Sequence, residues 1–312
     1  MLSSTLPIQP LLLKSVTKVF RRGKVLANDE INLTLNPGQL IALIGHNGAG
    51  KTTLLEQIIG TTKPTSGEVR YGTESLIKNP DLARQIASMM PQMHAPLTGV
   101  TPLQAISAIG RLRGLSGDDA YKEARRLLHA LDITSWQHVG GEKLSGGLRR
   151  LTSYAMAVIS PPPILLIDEP TNDVDPARRQ LIWRHLRKLA DSGHIVIVVT
   201  HNLLEVQRTA DRFILLQKGQ VLIDSTPKQL AQQTQTTTLS VSAQPSVTFR
   251  DLPKASNVYP IDNGQFRFDL KPTQIPAAVA WVLEQFEKGT VDDYLLTSTS
   301  LETIYERITN GR

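Results

Sequence analysis

The chain has 312 residues, of which 40% are hydrophobic and 20% charged, the make-up of an ordinary globular protein of about two domains. It has no cysteine, which excludes disulfides and thiolate-held metals. The formal net charge is +6, but the basic residues are scattered in short clusters such as Arg21-Arg22-Gly23-Lys24, so no nucleic-acid partner is expected and a mildly basic solvated face, compatible with an anionic membrane surface, is the better reading.

The opening MLSSTLPIQPLLLK lacks the basic and apolar regions of a signal peptide, and none is expected. Within it begins LLLKSVTKV, a strand-like run that leads to Phe20. The Phe20 ring either packs in a core or stacks on a base; its place beside a polar turn favours stacking. Next comes QLIALIGHNGAGKTTLLEQIIG, residues 39–60. Leu40 to Ile44 read as a buried parallel strand, and Leu54, Leu55, Ile58 and Ile59 recur at helical spacing. Between them, Gly45-His46-Asn47-Gly48-Ala49-Gly50-Lys51-Thr52 matches G-x-x-x-x-G-K-[ST] without a gap, followed by Thr53. In that context the backbone N–H groups and the helix N-terminus converge on phosphate oxygens. Lys51 is expected to reach the β- and γ-phosphates, and the Thr52 hydroxyl to ligate Mg²⁺. No Asn-Lys-x-Asp run marks guanine, so ATP is the expected nucleotide.

Residues 85–110 and 151–167 are free of charge but interrupted by prolines, and neither reads as a membrane span of ~20 apolar residues. Any membrane part is expected on another chain. TPLQAISAIGRLRGL and DAYKEARRLLHALDI show helical spacing, with Ala124, Leu127, Leu128 and Leu131 along one face. LSGGLRR follows, where Ser145, Gly146 and Gly147 present a hydroxyl, bare backbone and nearby positive charge, again suited to phosphate.

PPPILLIDEPTNDVDP, residues 161–176, holds a second buried strand that ends in Asp168-Glu169. Ligands gather at such strand ends in open α/β sheets. Asp168 is suited to hold Mg²⁺ through its water shell, and Glu169 to act as general base on a water. GHIVIVVTHN adds a third apolar strand whose polar tip places His201 in the same layer, where it can contact a γ-phosphate.

After residue 233 the composition shifts. Residues 234–249 are Thr/Ser-rich and read as an edge strand, and QFRFDL as another strand. PAAVAWVLEQFEKG reads as an amphipathic helix through Val279, Val282, Leu283 and Phe286, TVDDYLLTS as a strand, and SLETIYERIT as a closing helix. Residues 236–312 are thus expected to form a small α+β accessory domain.

The P-loop, Gln92 after ASMMPQ, LSGG, Asp168-Glu169, NDVD (172–175) and strand-end His201 stand in an order that resembles the nucleotide-binding subunit of an ATP-binding cassette (ABC) transporter, over roughly residues 10–230. The resemblance implies an α/β P-loop NTPase fold: a RecA-like core with a mostly parallel sheet over 10–233 and a helical subdomain inserted at about 93–160. It implies that Phe20 stacks on adenine, that Gln92 touches Mg²⁺ and the water, and that His201 senses the γ-phosphate. It also implies that residues 172–175 form a dimer contact and that Ser145, Gly146 and Gly147 reach the nucleotide held by a partner. ATP and Mg²⁺ are the cofactors it implies. The partners are a second ATP-binding cassette and an integral membrane permease, with the chain peripheral on the cytoplasmic face of the membrane. Leu148 stands where the family usually has Gln, and Asp173-Val174 replaces a small residue and Leu. The closing SLETIYERIT resembles subunits that serve ABC-2-type permeases, which favours an exporter; an importer subunit and a soluble non-transport ABC ATPase are the alternatives.

Overall fold

Apolar alternation and unbroken apolar runs divide the strands of the first part of the chain into two kinds. β1 (Leu11–Phe20) and β2 (Val25–Leu35) alternate, burying Leu11, Leu13, Ile31, Leu33 and Leu35. β3 (Leu40–Ile44) is buried along its whole length, as a strand covered on both faces must be. In the computed structural model, which describes residues 8–20, 24–93, 97–233, 237–243, 255, 257–261 and 264–298, the two kinds form separate sheets.

The order continues with α1 (Lys51–Ile58), β4 (Ser66–Tyr71), β5 (Glu74–Ser75), α2 (Pro80–Ile86) and β6 (Ala87–Met90). The helices α3 (Pro102–Leu112), α4 (Gly117–Ala130) and α5 (Gly146–Val158) follow. Then come β7 (Ile164–Asp168), α6 (Pro176–Asp191), β8 (Ile195–Val199), α7 (Leu203–Gln207), β9 (Arg212–Gln217) and β10 (Gln220–Ser225). A four-stranded antiparallel sheet runs β2-β1-β4-β5, and a six-stranded sheet runs β10-β9-β3-β8-β7-β6, parallel except for β10. One core joins the inner faces of both sheets to α1 and α2, through residues such as Leu13, Leu33, Leu43, Leu54, Ile86 and Ile197. On the other face of the parallel sheet, α6 packs against β3 and β8, and α5 against β6 and β7.

The α3–α5 helices pack on one another. The α4 stripe of Ala124, Leu127, Leu128 and Leu131 is fully buried, as its spacing predicts. Thr101 and Gln104 close a reciprocal capping box at the start of α3. Beyond the end of α3, Arg113 turns back. Its guanidinium donates to the Ala157 and Ile159 carbonyls at the end of α5 (2.9 and 2.5 Å) and to Ser88 Oγ on β6 (2.5 Å). Burial lowers its pKa to about 10, which leaves it charged at neutral pH.

The chain divides into two compact units, Met1–Thr226 and Pro227–Arg312. α8 (Pro227–Gln233), placed ahead of the boundary by composition, therefore groups with the second unit. That unit contains β11 (Thr237–Ser242), β12 (Asn257–Ile261), β13 (Gln265–Leu270), α9 (Ile275–Glu287) and β14 (Asp293–Ser298). Its antiparallel sheet runs β12-β13-β11-β14. β11 is thus interior, not an edge: Leu239 and Val241 point into a core, and every residue of the strand pairs on both sides, with β13 and with β14. The α9 face also differs from the one read from spacing. Ala278 and Val282 are buried with Trp281 packed beside them, its ring edge-on to Phe268 at 5.7 Å, whereas Leu283 and Phe286 are exposed. SLETIYERIT lies outside the described residues. No helix among the described residues is long and apolar enough to cross a membrane.

Replacing Arg113 with Met should orphan helix-end carbonyls and lower stability by about 1–3 kcal/mol. A urea midpoint checks this; an unchanged midpoint would show that the clamp is dispensable.

Candidate functional site

The parallel strands β3, β7 and β8 end level with one another, because Val199 pairs with Leu43 on one side and with Asp168 on the other. The loops that leave these ends therefore meet. Residues 45–50 wrap from β3 into α1, and Gly50 caps the helix in the left-handed region (φ 102°). A Cβ there would lie 2.1 Å from the Ala27 carbonyl oxygen and 2.6 Å from Asn28 Nδ2, so only glycine fits. Asn28 is fully buried and donates to the Gly50 carbonyl (3.1 Å), while Gln57 Nε2 donates to Asn28 Oδ1 (2.6 Å) and to the Thr53 carbonyl (3.1 Å). This polar pair fixes the loop to β2 from beneath.

A cleft of about 400 Å³ opens over the loop. Asn47, Gly48, Gly50, Lys51, Thr52 and Thr53 line its floor, and Gln92, Asp168 and Glu169 one side. Phe20 lines it with Val25 and Leu26, and the Lys18 ammonium lies 4.8 Å from the Phe20 ring centroid. Gly45, His46 and Ala49 stay out of the lining. The Gly45 and His46 carbonyls accept Lys51 Nζ (2.7 and 2.9 Å), and Ala49 is buried, its N–H donating to His46. Burial lowers the Lys51 pKa, opposed by the nearby charges of Asp168 and Glu169.

Thr52 Oγ1 donates to Asp168 Oδ2 at 3.4 Å. The Asp168 carboxyl is pushed up to about 6, first by burial and then by Glu169, against the pull of Lys51, the Thr52 bond and Arg150. Glu169 adopts a left-handed backbone (φ 51°), with its N–H donating to the Val199 carbonyl (2.8 Å). That turn aims the carboxylate across the strand ends. Oε1 meets His201 Nδ1 at 2.9 Å, and Oε2 is buried with no hydrogen-bond partner among the described residues. The His201 ring is otherwise largely exposed.

No group of three or more acidic, His or Cys side chains that could hold a metal occurs among the described residues. The Thr52 hydroxyl and Asp168 carboxylate, with Gln92 on the same cleft, are a hard oxygen donor set. They suit Mg²⁺, which is commonly held by one or two protein groups plus phosphates and water.

Ser145, Gly146 and Gly147 are not brought to this cleft. Ser145 caps α5, its Oγ accepting the Leu148 N–H (3.3 Å). A Cβ on Gly147 would lie 2.4 Å from the Asp173 carbonyl oxygen, so the 172–175 loop of the same chain packs directly on LSGG. Asp173 itself is left-handed (φ 59°). Leu148 packs, as do Trp136, Val139 and Met156, against a buried apolar cluster of Leu97, Ala105 and Leu144, which explains an apolar residue there.

Sequence reasoning missed Asn28, and it missed Arg150. Arg150 is buried on α5 and donates to the carbonyl of Pro91, the residue before Gln92 (3.3 Å). Burial lowers its pKa against the charges of Asp173, Asp168 and Glu169. Only the arginine pair after LSGG hinted at it.

The family model for ABC transporters matches residues 28–172. The chain is 30% identical over 225 residues to Nod factor export ATP-binding protein I of Burkholderia lata, covering 72% of this chain and 73% of that protein. It is 34% identical over 214 residues to the retinal-specific phospholipid-transporting ATPase ABCA4 of Mus musculus, covering 69% of this chain but spanning 9% of that much longer relative. Among solved structures, the dimeric post-hydrolysis state of the ATP-binding cassette MJ0796 bound to ADP and Pi superposes with a TM-score of 0.64 at 28% identity, over 70% of this chain and 98% of that one. A P-loop under β3, an acidic pair at the end of β7 and these likenesses converge: the chain belongs to the ABC transporter family, as an ATP-binding and ATP-hydrolysing cassette.

Proposed function

We propose that this cassette is the ATPase subunit of an exporter. It dimerises with a second cassette around two ATP·Mg²⁺ and drives a separate integral membrane permease from the cytoplasmic face of the membrane. The observation that carries the reading is the separation of two phosphate-type loops within one chain. Residues 45–53 frame the cleft, while Ser145–Gly147 sit outside it, braced by Asp173. A loop with an exposed serine at a helix N-terminus, turned away from its own nucleotide site, is supplied to a partner's site. The export direction is supported by the likeness to proteins named for Nod factor export and by the accessory domain after the cassette.

In this reading Phe20 stacks on adenine, and the loop N–H groups with Lys51 hold the phosphates. Thr52, Asp168 and Gln92 hold Mg²⁺, which when bound neutralises developing phosphate charge. Glu169 accepts the proton of the attacking water at its unpaired Oε2, and His201 holds the carboxylate in place through Oε1. Closure costs free energy that nucleotide contacts offset, since a ligand shifts an equilibrium only by its differential affinity for the two states.

Lys51→Ala should abolish tight ATP binding in a titration with a fluorescent analogue. Glu169→Gln should keep ATP binding, lower turnover by about 10²–10⁴-fold and accumulate a dimer on gel filtration with ATP; unchanged turnover would remove the general-base role. Ser145→Arg should bind ATP normally and hydrolyse it poorly. Mixing it with the Lys51→Ala chain should restore turnover, because one composite site is then intact; no recovery would refute action in trans.

A further inference from the structure

Beside the cleft, but outside its lining, one carboxylate gathers donors from two separate elements, α6 and the loop after β7. Glu205 lies on α7, just after His201, and its own N–H donates to Asn202 Oδ1 (3.3 Å). Oε2 accepts Trp183 Nε1 from α6 (2.7 Å) and the Thr171 hydroxyl (3.0 Å). Oε1 faces Arg179 Nη1 at 3.4 Å, and Arg179 Nε in turn donates to the Val174 carbonyl (2.6 Å). Thr171 and Val174 bracket Asn172 and Asp173, and the Asp173 carbonyl is the atom that crowds Gly147.

These contacts make a continuous path. It starts at His201 on Glu169, passes through α7 to Glu205, crosses to both ends of the 171–174 loop, and reaches LSGG. The junction is sheltered: Thr171 and Trp183 are buried, and the Glu205 side chain is 19% exposed. Charge-assisted hydrogen bonds in such a place are strong and directional. Removing the acceptor would leave the Trp183 N–H and Thr171 O–H unmet.

We propose that Glu205 is a positioning residue that ties His201, in the chain's own nucleotide site, to the signature loop offered to the partner's site. Occupancy of one site then sets the loop that completes the other. This rests on the dimer reading above. It adds that the two sites communicate through one side chain that touches neither nucleotide.

The test compares the full-length wild type with Glu205→Ala, Glu205→Gln and Arg179→Ala. Glu205→Ala should bind a fluorescent ATP analogue within about twofold of wild type, yet lose about tenfold in maximal turnover and any cooperativity in ATP. Glu205→Gln keeps an acceptor for Trp183 and Thr171 but not the pairing with Arg179, so its loss should be smaller. It also serves where the alanine variant folds poorly. The Glu205→Ala/Arg179→Ala double variant should be no worse than the more impaired single one, as expected for residues acting along one path. Unchanged turnover in Glu205→Ala, or strictly additive losses, would overturn the proposal while leaving the dimer reading intact. A lower melting temperature with full maximal turnover would reduce Glu205 to a packing role. Full wild-type turnover per chain at concentrations where gel filtration with ATP shows only monomer would overturn the dimer reading, and this inference with it.

Discussion

The chemistry of this chain depends on the register in which three parallel strands end. Val199 sits between Leu43 and Asp168, so the phosphate loop, the acidic pair and the histidine segment all start from one line across the sheet. The Glu169 N–H reaches across to the Val199 carbonyl and pins that line at its functional end. Side chains along a strand alternate between faces, so a one-residue slip of β7 would turn Asp168 to the opposite side of the sheet. The burial of β3, β7 and β8 along their full length makes that slip costly. Hydrophobic packing thus sets the position of groups that are themselves polar.

Much of this was legible in the sequence because its signals are local. The glycine loop carries strand, turn and helix in a single contiguous stretch, and Asp168-Glu169 and His201 each close an unbroken apolar run. Asn28, Arg150 and Glu205 were not legible, because their partners, Gly50 and Gln57, Pro91, and Trp183 and Thr171, lie in other elements. Single residues bonded across a fold leave no spacing to read. In the second unit the Thr/Ser-rich composition pointed β11 to an edge, but β-branched residues serve equally well in an interior strand once two neighbours satisfy its backbone. The α9 stripe was misjudged because Trp281 supplies the packing volume that Leu283 and Phe286 were expected to provide.

The two departures from the family pattern have different physical meanings. Leu148 belongs to a small apolar cluster under the helical part, so the helix behind the signature loop is seated by packing where the family usually has an amide. Asp173 takes a left-handed backbone and presents its carbonyl to Gly147, so that pair of loops meets backbone to backbone. Contacts of that kind depend little on side-chain identity, which is why the exchange of Asp173-Val174 for a small residue and Leu need not disturb them.

Glu169 combines two demands that pull in opposite directions. Its left-handed backbone is one that non-glycine residues adopt at a cost of about 1–3 kcal/mol. A glycine would relieve that strain but remove the carboxylate to which the general-base role is proposed. On the proposed role, the position marks a trade between durability and turnover. On that role, selection for heat tolerance alone would drift towards a quieter enzyme, whereas selection for activity must retain a strained residue at the end of β7.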